Sequence, residues 1–507
     1  MPTRHPPIAT STPSCNCWPA GAIEDANWCV AQIQWLALWV CSRQVPSYPG
    51  NPMPARILLC FALVLASTAA VADKAPATRN ELFRALQPLT DDLARYEYLL
   101  RTLPRLSPDD RPVAVQLLAS VENELGLYNE AIMTFPLKPR LPAGLTLPQP
   151  DAWHAVDAAD TITRLAAERR IVMVNEAHHD AHTRELTLAL LPRLRALGFT
   201  HFAAEALGEQ DPELAKRGYP DAGSGSEYLH EPLYGEIVRT AIRLGFVLVP
   251  YDGTSNDSAS REKDQARNLY QRVFKQNPTA RLFVHAGYAH VDKAKGRLGN
   301  VSPMAMQLGQ LSGFEPLSVD QTVFCDVHSG NAFDPYHRLV AAFQPQHPIV
   351  LVANADRKAW SAAPKQYDIS VILPPGMPLP DKSGEKDAEH TTWFSFGLGG
   401  ILVQAPKQKP VRPTWLDLEG RRRPYSIDAS LCQRTFPCVV EAHYENEPDG
   451  ASAADRYLFG KAGEGESLHL FPGRYRLRAF GSKGRSLHEQ AIVVADAAPA
   501  PTGAFKP

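Results

Sequence analysis

The sequence predicts an α/β protein: a mainly parallel sheet with helices on both faces, preceded by a helical hairpin and followed by a small β-sandwich. Three observations carry that reading. Between residues 151 and 410, short apolar β-branched runs alternate with helix-period segments, the pattern of parallel strands joined by crossover helices. Before that, from Asn80 to about Pro136, leucines recur at helical spacing. From about Arg421, short alternating segments are separated by Gly and Pro turns, as antiparallel strands are.

A chain of 507 residues exceeds one ordinary core, so several domains are expected. The apolar share of 44% and charged share of 21% are those of a globular protein. A net charge of −2 supplies no basic field for nucleic acid. The expected partner is a small-molecule or peptide substrate.

The N-terminus reads as an export signal. Met53-Pro-Ala-Arg56 is a positive n-region, residues 57–65 are an apolar h-region, and Ala70-Val-Ala72 before Asp73 fits an A-x-A cleavage site. The h-region is too short to span a bilayer comfortably. Residues 1–52 are then upstream, non-native sequence and 53–72 the signal peptide, so sequencing of exported protein should begin at Asp73. The alternative is a genuine extension with residues 57–72 as an anchor. Cys60 lies inside the h-region rather than after it, which speaks against a lipoprotein. The expected location is periplasmic or secreted, with no transmembrane helix in the mature chain. Five of the eight cysteines fall at or before residue 60. Of the rest, Cys432 and Cys438 are expected to form a disulfide, and Cys325 to be a small buried hydrophobe.

Residues 73–150 form a helical cap and linker. Leu82, Leu86 and Leu89 share a face, as do Leu93, Tyr96 and Leu99. Residues 107–112 break the run and residues 114–133 resume it. Gly126-Leu-Tyr-Asn-Glu-Ala131 resembles part of a tetratricopeptide-like pair, and one such pair cannot make a solenoid. The hairpin is expected to cap the main domain.

In the main domain, residues 151–410, the stretch from Arg170 to Arg184 comes first. Ile171-Val-Met-Val174 reads as a doubly buried strand, and it stops in Glu176, His178, His179, Asp180 and His182. A helix over 182–197 leads to a strand ending at Glu205. A helix over 226–244 leads to a strand ending at Tyr251 and Asp252. A helix over 258–276, with Ser258 and Ser260 as N-caps, leads to a strand ending at Gly287, Tyr288 and His290. Residues 348–353 and 367–373 extend the sheet. Ligands bind outside the carboxyl ends of such strands, so four strand ends bearing ionisable groups mark one site.

Asn-Glu-Ala-His178, Glu205, Ser260-Arg-Glu-Lys-Asp-Gln-Ala-Arg-Asn268 and Gly-Tyr-Ala-His290 resemble the erythromycin esterase, ChaN-like and Tiki-TraB superfamily over about residues 165–295. Asn175 departs from it, standing where the family has Gly. The resemblance implies a catalytic set of Glu176, His178, Glu205, Arg261 and His290, supported by His179, Arg184, Tyr251, Asp252 and Tyr288. In the esterase-like branch His178 is the general base. Glu176 and Glu205 orient it, Arg261 holds an anionic or carbonyl group, and His290 is a second base. In the metallopeptidase-like branch His178, Glu205 and His290 bind a divalent metal. The ChaN-like branch implies haem binding without turnover. A His beside an acid suits water activation, and two His with one carboxylate suit a divalent metal. Haem asks for an apolar pocket, which this polar edge does not offer. The implied function is hydrolysis of an ester, lactone or peptide bond.

Beyond residue 300, His328, His337 and His347 read as ordinary, and residues 376–386 as a polar loop bordering the site. Residues 411–496 form the accessory β-sandwich, and residues 497–507 a disordered tail.

Overall fold

The computed structural model describes residues 78–253, 255, 257–327, 334–377, 394–395, 404–405 and 412–496. The expected upstream segment and signal peptide, most of the 376–386 loop, His328 and the residues after 496 lie outside the described residues.

Eight strands form the central sheet: β1 (Trp153–Asp157), β2 (Ile171–Glu176), β3 (His201–Ala204), β4 (Val247–Val249), β5 (Leu282–Gly287), β6 (Leu317–Phe324), β7 (Ile349–Ala353) and β8 (Ile369–Ile372). Their order is β1-β7-β8-β6-β2-β5-β3-β4. From β8 to β4 every neighbouring pair is parallel, whereas β7 runs antiparallel to β8 and to β1.

Both faces of the sheet are covered, because strand residues alternate between them. Val172 and Val174 of β2, Phe202 and Ala204 of β3, and Phe283 of β5 point one way. They meet Leu186, Leu190 and Leu191 of a helix at His182–Ala196 and Ile237 and Val238 of a helix at Pro232–Arg243. Ile171, Met173, Ala203, Leu282 and Val284 point the other way, onto helices at Ser258–Leu269 and Met304–Ser312. Hence β2 and β5 read as unbroken apolar runs. After Ala196 the chain turns at Gly198, whose φ of +85° favours glycine.

Element boundaries differ from the sequence expectation where a cap or a proline decides them. The helix expected over 226–244 begins at Pro232, since proline suits the first helical position, and Glu231 caps it by accepting from Leu233 and Tyr234 N–H. The helix expected from Ser258 is capped by Asp257, not by Ser258 or Ser260. Its regular part stops at Leu269, and a single π turn follows over Tyr270–Phe274.

The N-terminal helices Arg79–Leu86, Asp92–Thr102, Arg111–Glu124 and Tyr128–Thr134 do not simply cap the sheet. Leu82, Leu93, Leu99 and Leu117 share one core with Val439, Val440 and Leu477 of the C-terminal strands. Tyr128, at the start of the last of them, joins the apolar core of the sheet. The C-terminal region has two antiparallel sheets. Arg423–Asp428 pairs with Gly465–Leu470, and Asp455–Phe459, Cys438–Tyr444, Gly473–Gly481 and Arg485–Val494 form the other, in that order.

Cys432 and Cys438 are joined by a disulfide, and Cys325 is a buried free thiol. The bridge closes a short loop. Reducing it is expected to destabilise the protein by about 2–3 kcal/mol, seen as a lower urea midpoint with dithiothreitol. Among the described residues no helix is long and apolar enough to cross a membrane.

Candidate active site

The parallel register brings the strand ends together. Glu176 of β2 lies level with Gly287 of β5, and His285 of β5 lies level with Ala204 of β3, immediately before Glu205. Gly287 is therefore flanked by the two carboxylates. A Cβ built there would lie 2.5 Å from His178 Nε2 and 3.1 Å from Glu205 Oε2. Only glycine leaves both groups their places.

The loop after β2 folds back on itself. Thr183 Oγ1 donates to Asp180 carbonyl and accepts from Ala177 N–H. Asn123 of the N-terminal helices spans the loop, its Nδ2 donating to His178 carbonyl and its Oδ1 accepting from Ala181 N–H. His178 is then held by three groups. Its Nδ1 lies 3.0 Å from Glu176 Oε1, Tyr228 stacks on its face with centroids 4.3 Å apart, and Tyr288 meets it edge-on at 5.1 Å.

Glu176 is buried, which alone would raise its pKa. The Arg184 guanidinium, 2.7 Å away, and His285, 3.2 Å away, hold its carboxyl well below the ordinary range. Arg184 in turn pairs with Glu231 at 2.9 Å. This first cluster thus sets an ionised carboxylate on Nδ1 of His178.

The second cluster centres on Glu205. Its Oε2 accepts from Gly287 N–H at 2.7 Å. Its Oε1 lies 2.8 Å from Arg261 Nη2 and 3.5 Å from His290 Nε2. Burial would raise its pKa, but His290, Arg261 and His178 lower it. Arg261 also pairs with Asp252 at 2.9 Å, and Asp252 accepts from Gln265. Arg261 Nη1 is buried without a hydrogen-bond partner. His290 Nδ1 lies 2.5 Å from Glu262 Oε1, and Glu262 Oε2 accepts from Met304 N–H.

His290 therefore faces carboxylates with both ring nitrogens. Burial opposes its charge, yet Glu262 and Glu205 push its pKa up to about 9. The sign of the resulting pH dependence follows: a raised histidine stabilises the fold fully below about pH 6.5, and that contribution is lost as pH rises through about 9. Unfolding free energy should fall by about 3 kcal/mol over this window, and His290→Gln should remove that slope. Urea titrations at a series of pH values measure both.

The other expected residues take supporting places. His179 is clamped between Phe135, stacked at 3.4 Å, and the Tyr288 hydroxyl at 3.1 Å, and burial lowers its pKa to about 3. Tyr251 is buried, and its hydroxyl donates to His285 carbonyl. Tyr288 has a φ of +41°, a strained conformation for an aromatic residue. Asn175 Nδ2 donates to Tyr288 carbonyl at 2.8 Å and to Asp320 at 2.6 Å. Asn175 thus helps hold that turn.

Sequence reasoning missed Glu231, Tyr228, His285 and Asn123. The polar His285 inside an apolar strand was the one available signal. Glu231 before a proline read as no more than a helix start. The site itself is closed: His178 and Glu205 are each 4% exposed. A cavity of about 240 Å³ lies elsewhere, lined by Asp91, His230, Glu441, His443 and Arg456 at the junction with the C-terminal sheets. Its lining also holds histidine–carboxylate pairs, His443 Nε2 lying 3.0 Å from Glu441 Oε2 and His230 Nδ1 lying 2.9 Å from Asp92 Oδ1.

No protein-family model and no curated protein matches the chain. A solved structure described as "Bacterial protein toxins" aligns at 15% identity over 52% of this chain and 67% of that chain, with a TM-score of 0.25. At that score the alignment carries no argument about fold or function.

Proposed function

We propose that the chain is an exported hydrolase of the erythromycin-esterase-like kind, cleaving an ester, lactone or peptide bond by water activation at His178. One observation carries the reading: Glu176, ionised, sits 3.0 Å from His178 Nδ1, while His178 Nε2 and Glu205 Oε2 converge over Gly287. A neutral imidazole that donates from Nδ1 keeps its lone pair on Nε2. There it takes a proton from a water held between His178 and Glu205 as the oxygen bonds to the acyl carbon. The same proton passes to the leaving oxygen or nitrogen when the acyl bond breaks. Arg261 Nη1, buried and unpartnered, supplies a donor for the negative charge on the carbonyl oxygen. Tyr228 and Tyr288 pack on His178, so substrate entry requires one of them to move.

The donor set does not suit a divalent metal. A ligating histidine must give up its proton, and ligation at His290 would have to displace the proton shared with Glu262 and Glu205 on its two ring nitrogens. Arg261 adds a further positive charge beside Glu205. Among the described residues, no group of three His, Cys, Asp or Glu is placed to hold an ion. Haem fits no better, since the strand ends are filled by ion pairs rather than by an apolar pocket. No step is therefore routed through either group.

The test is hydrolysis of p-nitrophenyl butyrate by the mature protein. Turnover should survive EDTA and fall by about 10²-fold in Glu205→Gln, which keeps the shape and removes the charge. Activity that disappears with chelation would sink the metal-free reading.

A further inference from the structure

A buried chain of charges runs from the N-terminal helices to His178. Tyr128 hydroxyl donates to Glu231 Oε1 at 2.9 Å. Glu231 Oε2 lies 2.9 Å from Arg184 Nη1, and Arg184 Nε lies 2.7 Å from Glu176 Oε2. Glu176 Oε1 closes the chain on His178 Nδ1 at 3.0 Å. All five side chains are buried, so solvent does not screen these contacts.

We propose that Glu231, fixed by Tyr128, is a positioning residue that holds Arg184 and Glu176 in place for His178, making the N-terminal helices a working part of the site. This rests on the reading of His178 as the base. The geometry explains why Glu231 matters more than an ordinary helix cap. One carboxylate does three jobs: it caps the helix that starts at Pro232, anchors the guanidinium and accepts from Tyr128. With both anchors present, the Arg184 fork is committed at Nε and Nη1 and cannot rotate away from Glu176. Loss of one anchor frees that rotation, and Glu176 then no longer fixes the proton of His178 on Nδ1. Asn123 adds a second tie from the same helices, through the backbone of the His178 loop.

Two variants of the full mature chain test this. Glu231→Gln retains an acceptor for the helix cap and removes the charge. Tyr128→Phe removes one hydroxyl, and serves if Glu231→Gln fails to fold. Circular dichroism and the thermal midpoint check folding. Steady-state kinetics with p-nitrophenyl butyrate should show kcat lowered at least ten-fold in Glu231→Gln and about three-fold in Tyr128→Phe, with KM unchanged. The ¹⁵N shifts of the His178 ring should report mainly Nδ1–H in the parent and a mixture of tautomers in the variants. Folded variants with the parent's kcat and tautomer overturn the proposal, as does a fall in kcat with an unaltered tautomer. If the parent hydrolyses no ester, lactone or peptide bond, the proposed function fails, and the ¹⁵N comparison alone decides the role of Glu231.

Discussion

His178→Ala is expected to abolish hydrolysis, lowering kcat/KM by about 10³–10⁴-fold, since a positioned general base contributes on that scale. His178→Gln should lose as much activity, because an amide cannot take the proton. The two variants should differ in stability. His178 is 4% exposed and stacked against Tyr228, so its ring contributes packing as well as chemistry. Removing its ring leaves a hole beside Tyr228, with an expected cost of about 1–3 kcal/mol. Glutamine fills most of that space. Steady-state kinetics and urea unfolding of both variants separate chemistry from packing. Substantial turnover in either variant would show that another group activates the water.

Arg184→Leu carries the largest expected effect on stability. Arg184 is fully buried and neutralises Glu176 and Glu231 together. Removing it takes from two interior carboxylates the guanidinium they share, a loss of about 3–5 kcal/mol on the scale measured for broken buried pairs. The penalty should shrink in acid, where protonation relieves the orphaned carboxylates. Denaturant midpoints of parent and variant at neutral pH and at about pH 5 measure this. A variant as stable as the parent at neutral pH would contradict the ion-pair geometry.

Much of the central sheet was legible because strands buried on two faces leave a strong trace. Ile171–Val174 and Leu282–Val284 have no polar alternation, and each run ends abruptly in polar residues, Asn175 and His285. Residues 348–353 and 367–373 were also legible as strands, but not their directions, since a strand reads alike whether its partner is parallel or antiparallel. The strand-end pattern singles out Glu176, His178, Glu205 and His290, with Arg261 on the helix between, and the structure gathers them near Gly287.

What each of these residues faces was not legible. His290 was expected as a base or a ligand. Its ring nitrogens face Glu262 and Glu205, and a pairing of that kind depends on how the Ser258–Leu269 helix packs against the strand ends. The partners of Arg261 were not legible either: Asp252 and Glu205 occupy Nε and Nη2, leaving Nη1 without a partner. Glu231 carried no mark at all, because its partner Tyr128 lies 103 residues away in the chain.

The sequence by itself determined the periodicities, and through them the strands, the helices and the edge of the sheet at which the ionisable groups collect. Tertiary structure alone decided partners. The leucine stripe of the N-terminal helices fits any apolar face equally well, since hydrophobic burial has no direction. Only folding set it against the C-terminal strands and so brought Tyr128 and Asn123 over the strand ends. Likewise, a buried charge tolerates burial only with a geometrically placed counter-charge. The network from Tyr128 to His178 came into being when distant segments met.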